Sequence, residues 1–251
     1  MARKPVRKPV RKPVRKPVRK AAANNALSRK RPAAAAAGAA RVAALEAAVA
    51  LLKRQLATTQ RRMVALEDIE AIKRLQRIYG YYLDKALYSK TLGLFSKRCS
   101  IEISGRGVYR GREGVNTLLS KILGKEFPEG LLEGQLYNHL QLQGVVTLGA
   151  DGKSARGRWR AFIQVAKLGK LAHWAEGPYE MEYVKQAGRW YIDKLTWFPT
   201  YYTPFEEGWA KTGLPKQPPS TEFPPDAPPT HEYQTYPSVF IPPFHYPDPE
   251  T

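Results

Sequence analysis

A chain of 251 residues, 43% of them hydrophobic, can bury one core of ordinary domain size and still carry extensions. Its single cysteine, Cys99, excludes an internal disulfide and fits a reducing compartment. The formal net charge of +19 suggests nucleic acid until it is localised: residues 1–40 hold thirteen Lys and Arg and no acid, which leaves +6 for the other 211 residues.

Residues 3–18 are four tandem copies of Arg-Lys-Pro-Val. Proline at every fourth position forbids an α-helix and like charges repel, so residues 1–40 are read as a disordered basic arm and alanine-rich linker. Non-specific binding to polyanions is the most such an arm would do. From Val42 the apolar residues Val42, Leu45, Val49, Leu52, Leu56, Met63 and Leu66, with Thr59 as a polar slip, follow a 3,4 spacing. That heptad seam predicts a coiled-coil helix over 41–66 and a homo-oligomer, dimer or trimer. Glu67-Asp68 is read as the start of a new helix. No apolar run is read as membrane-spanning, and the N-terminus lacks the apolar stretch of a secretory signal; the expectation is a soluble cytoplasmic protein without a membrane partner.

Residues 67–198 carry the fold. Helical periodicity runs from Leu66 to Leu87 and ends in Tyr79-Gly-Tyr-Tyr-Leu-Asp-Lys85. A short strand at Ser100-Ile-Glu-Ile103, a small hairpin at 105–111 and a helix at 112–123 follow. Four long strands then come in succession: 137–148, 155–167, 174–184 and 189–198, joined by turns at Ala150-Asp-Gly-Lys153 and Lys185-Gln-Ala-Gly188. Helices first and a curled antiparallel sheet afterwards predict an α+β fold, a cone-shaped half-barrel enclosing a small-molecule cavity. Residues 199–251 hold fourteen prolines, and ten aromatic residues lie between Tyr201 and Tyr246. Aromatics in that number predict an extended arm draped over a protein surface and able to narrow a cavity entrance.

The chemistry expected of the cavity follows first from what is missing. The histidines at 139, 173, 231 and 245 show no metal-ligand spacing, and there is no phosphate loop, dinucleotide fingerprint or nucleophile elbow. What remains is Asp, His and Tyr, which suits proton transfer with no metal and no cofactor. Tyr82, Tyr88, Trp159, Trp197 and Tyr201 are candidates for an aromatic substrate lining, although each could equally be core. Glu176 alternates away from Tyr179 and is placed outside the cavity.

The order of these segments, with Ser-Ile-Glu-Ile, Val-Tyr-Arg-Gly-Arg-Glu-Gly-Val and Gly-Arg-Trp-Tyr-Ile-Asp at their spacing, resembles the SnoaL-like branch of the nuclear transport factor 2-like superfamily over about Leu66 to Phe198. Within it the chain is similar to the scytalone dehydratase type, including a continuation at Phe205-Glu-Glu-Gly-Trp209, and to bacterial diarylpropane lyases of lignin breakdown. The resemblance implies a catalytic aspartate at Asp84, a histidine at His139 and a substrate-contacting position at Tyr179. The dehydratase's second histidine falls near Trp159 and its early-strand tyrosine on Ile103, so half of that polar set is changed. The expectation is a cofactor-independent lyase acting on a small aromatic, diarylpropane-like alcohol and releasing formaldehyde to leave a stilbene-type product. His139 is the base, oriented by Asp84, and Tyr179 the acid. A dehydratase or isomerase on a phenolic, polyketide or steroid-like substrate and a non-catalytic oligomeric binding module are the alternatives.

Overall fold

A computed structural model describes residues 22–247, with side chains from residue 34 onward. The repeats at 3–18 lie outside the described residues. The chain divides into two units, 1–60 and 61–251.

Helix α1 (Ala22–Leu83) is continuous, so residues 22–40, read above as linker, are helical and no break occurs at Asp68. The alanine run explains this, since alanine has the highest intrinsic helix propensity. In the first unit the seam residues Leu45, Leu52 and Leu56 are 66%, 61% and 57% exposed along the helix. The same alanine content corrects the reading of apolar runs. One stretch within 34–83 is long and apolar enough to cross a membrane, by length and composition only, although Arg41 and Glu46 lie in the apolar part of it.

In the second unit, α1 from Asp68 onward turns Ile72, Leu75, Tyr79 and Leu83 into the core. Helix α2 (Tyr88–Leu92) leads into strand β1 (Phe95–Ile103) and the short β2 (Val108–Arg110). Helix α3 (Gly111–Asn116) continues into a π-helical turn, Thr117–Leu123. Then come β3 (Gln135–Leu148), β4 (Ser154–Lys167), β5 (Leu171–Gln186), β6 (Arg189–Trp197), β7 (Tyr201–Pro204) and the single turn α4 (Gly208–Lys211). The sheet order is β2-β1-β6-β5-β4-β3, with β7 added to β5. The sheet is mixed rather than wholly antiparallel, because β1 pairs with β6 in parallel. Nearly ninety residues separate these two strands, far more than a parallel crossover requires.

Two glycines permit close approaches along β3. Strand β3 shifts register between Leu142 and Val145, and Gln143 there adopts φ +50°. A Cβ at Gly144 would stand 2.2 Å from the Trp159 ring, so only glycine lets the indole lie across the bulge. At Gly80 a Cβ would stand 2.8 Å from Gln141 Cγ and 3.1 Å from the carbonyl of His139. The helix therefore sits close against the backbone of β3.

Beyond Trp197 the chain runs back along its own domain. Val108 and Ala227 exchange a backbone bond of 2.9 Å. The buried Glu102 carboxylate accepts from the Thr230 amide at 2.9 Å and its hydroxyl at 2.6 Å, which satisfies a charge that would otherwise be costly. Phe198 packs on His231, Tyr233 and Phe240. Arg158 bonds Glu180, donates to the carbonyl of Pro242 at 2.8 Å and lies 4.2 Å over the Phe244 ring.

Candidate active site

The end of α1, the hairpin between β1 and β2, the π-helical turn and the strands β3 to β6 enclose a cavity of about 180 Å³. Its apolar walls come from Leu83, Ile103, Ile122, Leu123, Phe127, Ile163 and Val165; its polar groups are Arg106, Glu126, Tyr137, His139, Tyr179, Tyr202 and Gln217. An apolar cavity of roughly 150 Å³ holds one benzene ring, so this one has room for a single aryl group with a short substituent.

His139 sits on β3 and Tyr179 on β5, with β4 between them. Strand alternation turns both inward, and His139 Nε2 lies 2.7 Å from Tyr179 Oη. His139 is 5% exposed and Tyr179 1%. Burial pulls the His139 imidazole down to about 3. Burial also raises the Tyr179 hydroxyl well above the ordinary phenol range, and its neighbours Tyr79 and Tyr137 push the same way. At neutral pH the pair is a neutral imidazole and a protonated phenol. Two tautomers satisfy the bond: Tyr179 donates to Nε2, or Nε2–H donates to Tyr179 and leaves a lone pair on Nδ1. A proton can therefore pass either way along it. Nδ1 of His139 is buried with no hydrogen-bond partner among the described residues, and the Tyr79 hydroxyl lies beside that of Tyr179. An unpartnered group of this kind costs about 1–3 kcal/mol, so this end of the core holds capacity that a ligand can use.

Asp84 stands elsewhere. Its Oδ1 accepts the backbone N–H of His139 at 2.5 Å, not the imidazole, and it lines a shallow groove on the outside of β3 with Arg77 and Tyr81. Burial raises its carboxyl, and the bond from His139 with the charge of Lys85 opposes that. Asp84 thus fastens the strand that carries the histidine to the end of α1. It does not touch the ring.

Of the expected aromatic lining, Trp197 faces the cavity. Tyr88 is core, its hydroxyl donating to the carbonyl of Phe127 at 2.9 Å. Trp159 donates to Tyr183 Oη at 2.9 Å, away from the cavity. Tyr82 is half-buried beneath Lys90. Tyr201 lies against Trp209, whereas its neighbour Tyr202 lines the cavity. Glu176 bonds Arg160 outside the cavity. Tyr137, Tyr202, Arg106 and Gln217 are the lining groups that periodicity did not single out; Arg106 sits in a Gly-Arg-Gly turn and Gln217 in the proline-rich arm. Among the described residues no group of His, Cys, Asp and Glu could hold a metal ion. Burial raises the Cys99 thiol to about 11, which leaves it an inert core group.

A curved, unclosed mixed sheet wrapped on a helix around one small aromatic-lined cavity defines the class: an α+β protein of nuclear transport factor 2-like fold. Residues 64–196 match the SnoaL-like domain, and the chain belongs to that family. No curated protein matches the chain. Among solved structures it is similar to a putative scytalone dehydratase from Novosphingobium aromaticivorans, with a TM-score of 0.50 and 17% identity over 63% of this chain and 96% of that one. It is also similar to a hexachlorocyclohexane dehydrochlorinase from Novosphingobium barchaimii, with a TM-score of 0.50 and 18% identity over 57% of this chain and 93% of that one. At such identities these likenesses speak for the fold alone.

Proposed function

We propose that the chain is a cofactor-independent lyase that carries out an elimination on an aromatic alcohol by acid/base catalysis. The observation that carries this reading is the buried His139–Tyr179 pair at 2.7 Å in a cavity sized for an aryl group. An imidazole held at about 3 is badly matched to neutral pH while the cavity is empty. It becomes an effective base only when negative charge forms beside it, and proton removal from a substrate creates that charge. Tyr179, kept protonated by burial, is the group that gives a proton to departing hydroxide. Asp84 holds the backbone of His139 in place.

The finer reading is deformylation of a lignin-type 1,2-diarylpropane-1,3-diol. The base takes the hydroxymethyl O–H proton, the C–C bond breaks to release formaldehyde, its electron pair forms the stilbene double bond, and the benzylic hydroxyl leaves as water with the proton from Tyr179. A second reading, loss of water from a single-ring alcohol through C–H abstraction, is favoured by the cavity volume, which encloses one ring rather than two.

The test is incubation of purified protein, without added cofactor, with such a diol and with single-ring benzylic alcohols, scoring formaldehyde and product mass. Formaldehyde with a stilbene, lost in His139→Ala, would establish the finer reading. Water loss alone moves the assignment to a dehydratase. No turnover on the whole panel, with wild type and variant alike, leaves a binding module.

A further inference from the structure

The cavity contains a cation that the acid/base chemistry does not use. Arg106 lies in the turn between β1 and β2 and lines the cavity together with His139 and Tyr179. Its one side-chain hydrogen bond among the described residues is from Nη1 to Gln217 Oε1 at 3.1 Å, a neutral partner supplied by the C-terminal arm. A guanidinium has five N–H donors, and no carboxylate forms an ion pair with this one among the described residues. The acid that shares the cavity, Glu126, is engaged elsewhere, with Oε2 2.6 Å from Lys167 Nζ. The titratable groups that act on Arg106 are the phenols Tyr137, Tyr202 and Tyr109. Burial raises all three hydroxyls above their ordinary range, so none of them supplies a negative charge at neutral pH.

The backbone holds the guanidinium there. A Cβ at Gly105 would stand 2.8 Å from the carbonyl of Gln217, and one at Gly107 would stand 2.6 Å from the Pro225 ring, so the arm presses on the turn from both sides. Arg106 is half-buried, and taking a guanidinium even partly out of water without a counter-charge is unfavourable, the direction in which burial acts on it. The complementary ligand group is planar and anionic, since a guanidinium matches a carboxylate with two parallel bonds.

We infer that Arg106 is the carboxylate-recognition residue of this cavity, and that the ligand is a single-ring aromatic carboxylate whose acid group meets the guanidinium while its ring lies between Trp197 and the apolar walls. The inference rests on the proposed use of the cavity for an aryl substrate and narrows it to acids. The room available, about 180 Å³, accommodates a ring with a short carboxylated side chain.

The experiment compares trans-cinnamate with cinnamamide, its uncharged counterpart of similar shape, by calorimetric titration of the full-length protein, and repeats both on Arg106→Gln and Arg106→Lys. Wild type should bind the acid about tenfold or more tighter than the amide, the margin of one charge-assisted hydrogen bond over a neutral one. Arg106→Gln should erase that preference while keeping the weaker amide binding, which also reports that the variant is folded. Arg106→Lys should keep part of it. Equal binding of acid and amide by wild type would overturn the inference and leave the lyase reading untouched. A preference that survives in Arg106→Gln would overturn it too. Binding of neither ligand would remove the aryl cavity on which both readings stand.

Discussion

The two ends of the same helix-on-sheet core treat their buried polar groups in opposite ways. At the far end Trp159 donates to Tyr183, Tyr183 donates to Gln76 at 2.7 Å, and Gln76 donates to Gln141 at 2.7 Å. Nearby, Asp68 takes bonds from both Lys185 at 2.6 Å and Trp190 at 2.8 Å; burial, the largest single influence, raises its carboxyl, but these partners together outweigh it and hold the carboxyl low. At the cavity end His139 and Arg106 keep donors or acceptors in reserve. Both ends use phenols and amides on neighbouring turns of α1 and the same strands. Composition therefore does not distinguish structure from site here; spare hydrogen-bonding capacity does.

That contrast can be broken most forcefully at Tyr179. Tyr179→Phe removes the acid but little volume, so turnover should fall by about 10²–10⁴ while stability falls by only about 1–3 kcal/mol, because His139 Nε2 loses its partner, as product assay and thermal melting would report. A melting temperature that collapses while turnover persists would make Tyr179 structural. The second lever is pH. The folded chain keeps His139 neutral down to about pH 3, whereas the unfolded chain takes up that proton near pH 6.5. Between those values the unfolded state binds more protons, so this group makes stability fall as pH drops from 6.5 toward 3, by at most about 1.4 kcal/mol per pH unit. Denaturation midpoints of His139→Gln should show a shallower slope over that window. A slope equal to wild type would mean the imidazole is hydrated.

At the far end, Gln76→Leu should cost about 1–3 kcal/mol, the penalty of leaving the Tyr183 hydroxyl without its acceptor, while turnover stays within a few-fold; chemical denaturation beside the product assay measures both. The smallest effect belongs to Asp84→Asn. An amide oxygen can still accept the His139 backbone N–H, so turnover should change by less than about fivefold. A loss as deep as that of His139→Ala would restore the carboxylate to the ring.

Most of the sheet was legible from the chain. The strands expected at 137–148, 155–167, 174–184 and 189–198 match β3 to β6 with ends displaced by three residues or fewer, because turn residues and branched or aromatic runs mark them clearly. His139 and Tyr179 were legible as residues, and their meeting was fixed by the antiparallel registers of β3 with β4 and β4 with β5. Asp84 was legible only as a nearby acid; whether it reaches a ring or a backbone depends on the close approach at Gly80, which no periodicity encodes. The choice between Tyr201 and Tyr202 is one step of strand alternation, and β7 is too short to declare its phase. Arg106 was hidden for a different reason. In the sequence it is one more arginine of a basic chain, and its solitude exists only once the arm has closed over the turn.

That arm gives the molecule a division of labour. The SnoaL-like domain is matched over 64–196, and His139 with Tyr179 lies within it. Tyr202 and Gln217, which complete the cavity wall, lie outside it, and Gln217 accepts from Arg106. The buried His139–Tyr179 pair and part of the cavity wall are thus written in separate stretches of the chain. Exchanging residues 199–247 would therefore change the cavity wall and, through Thr230 on Glu102, the packing of the core in one step.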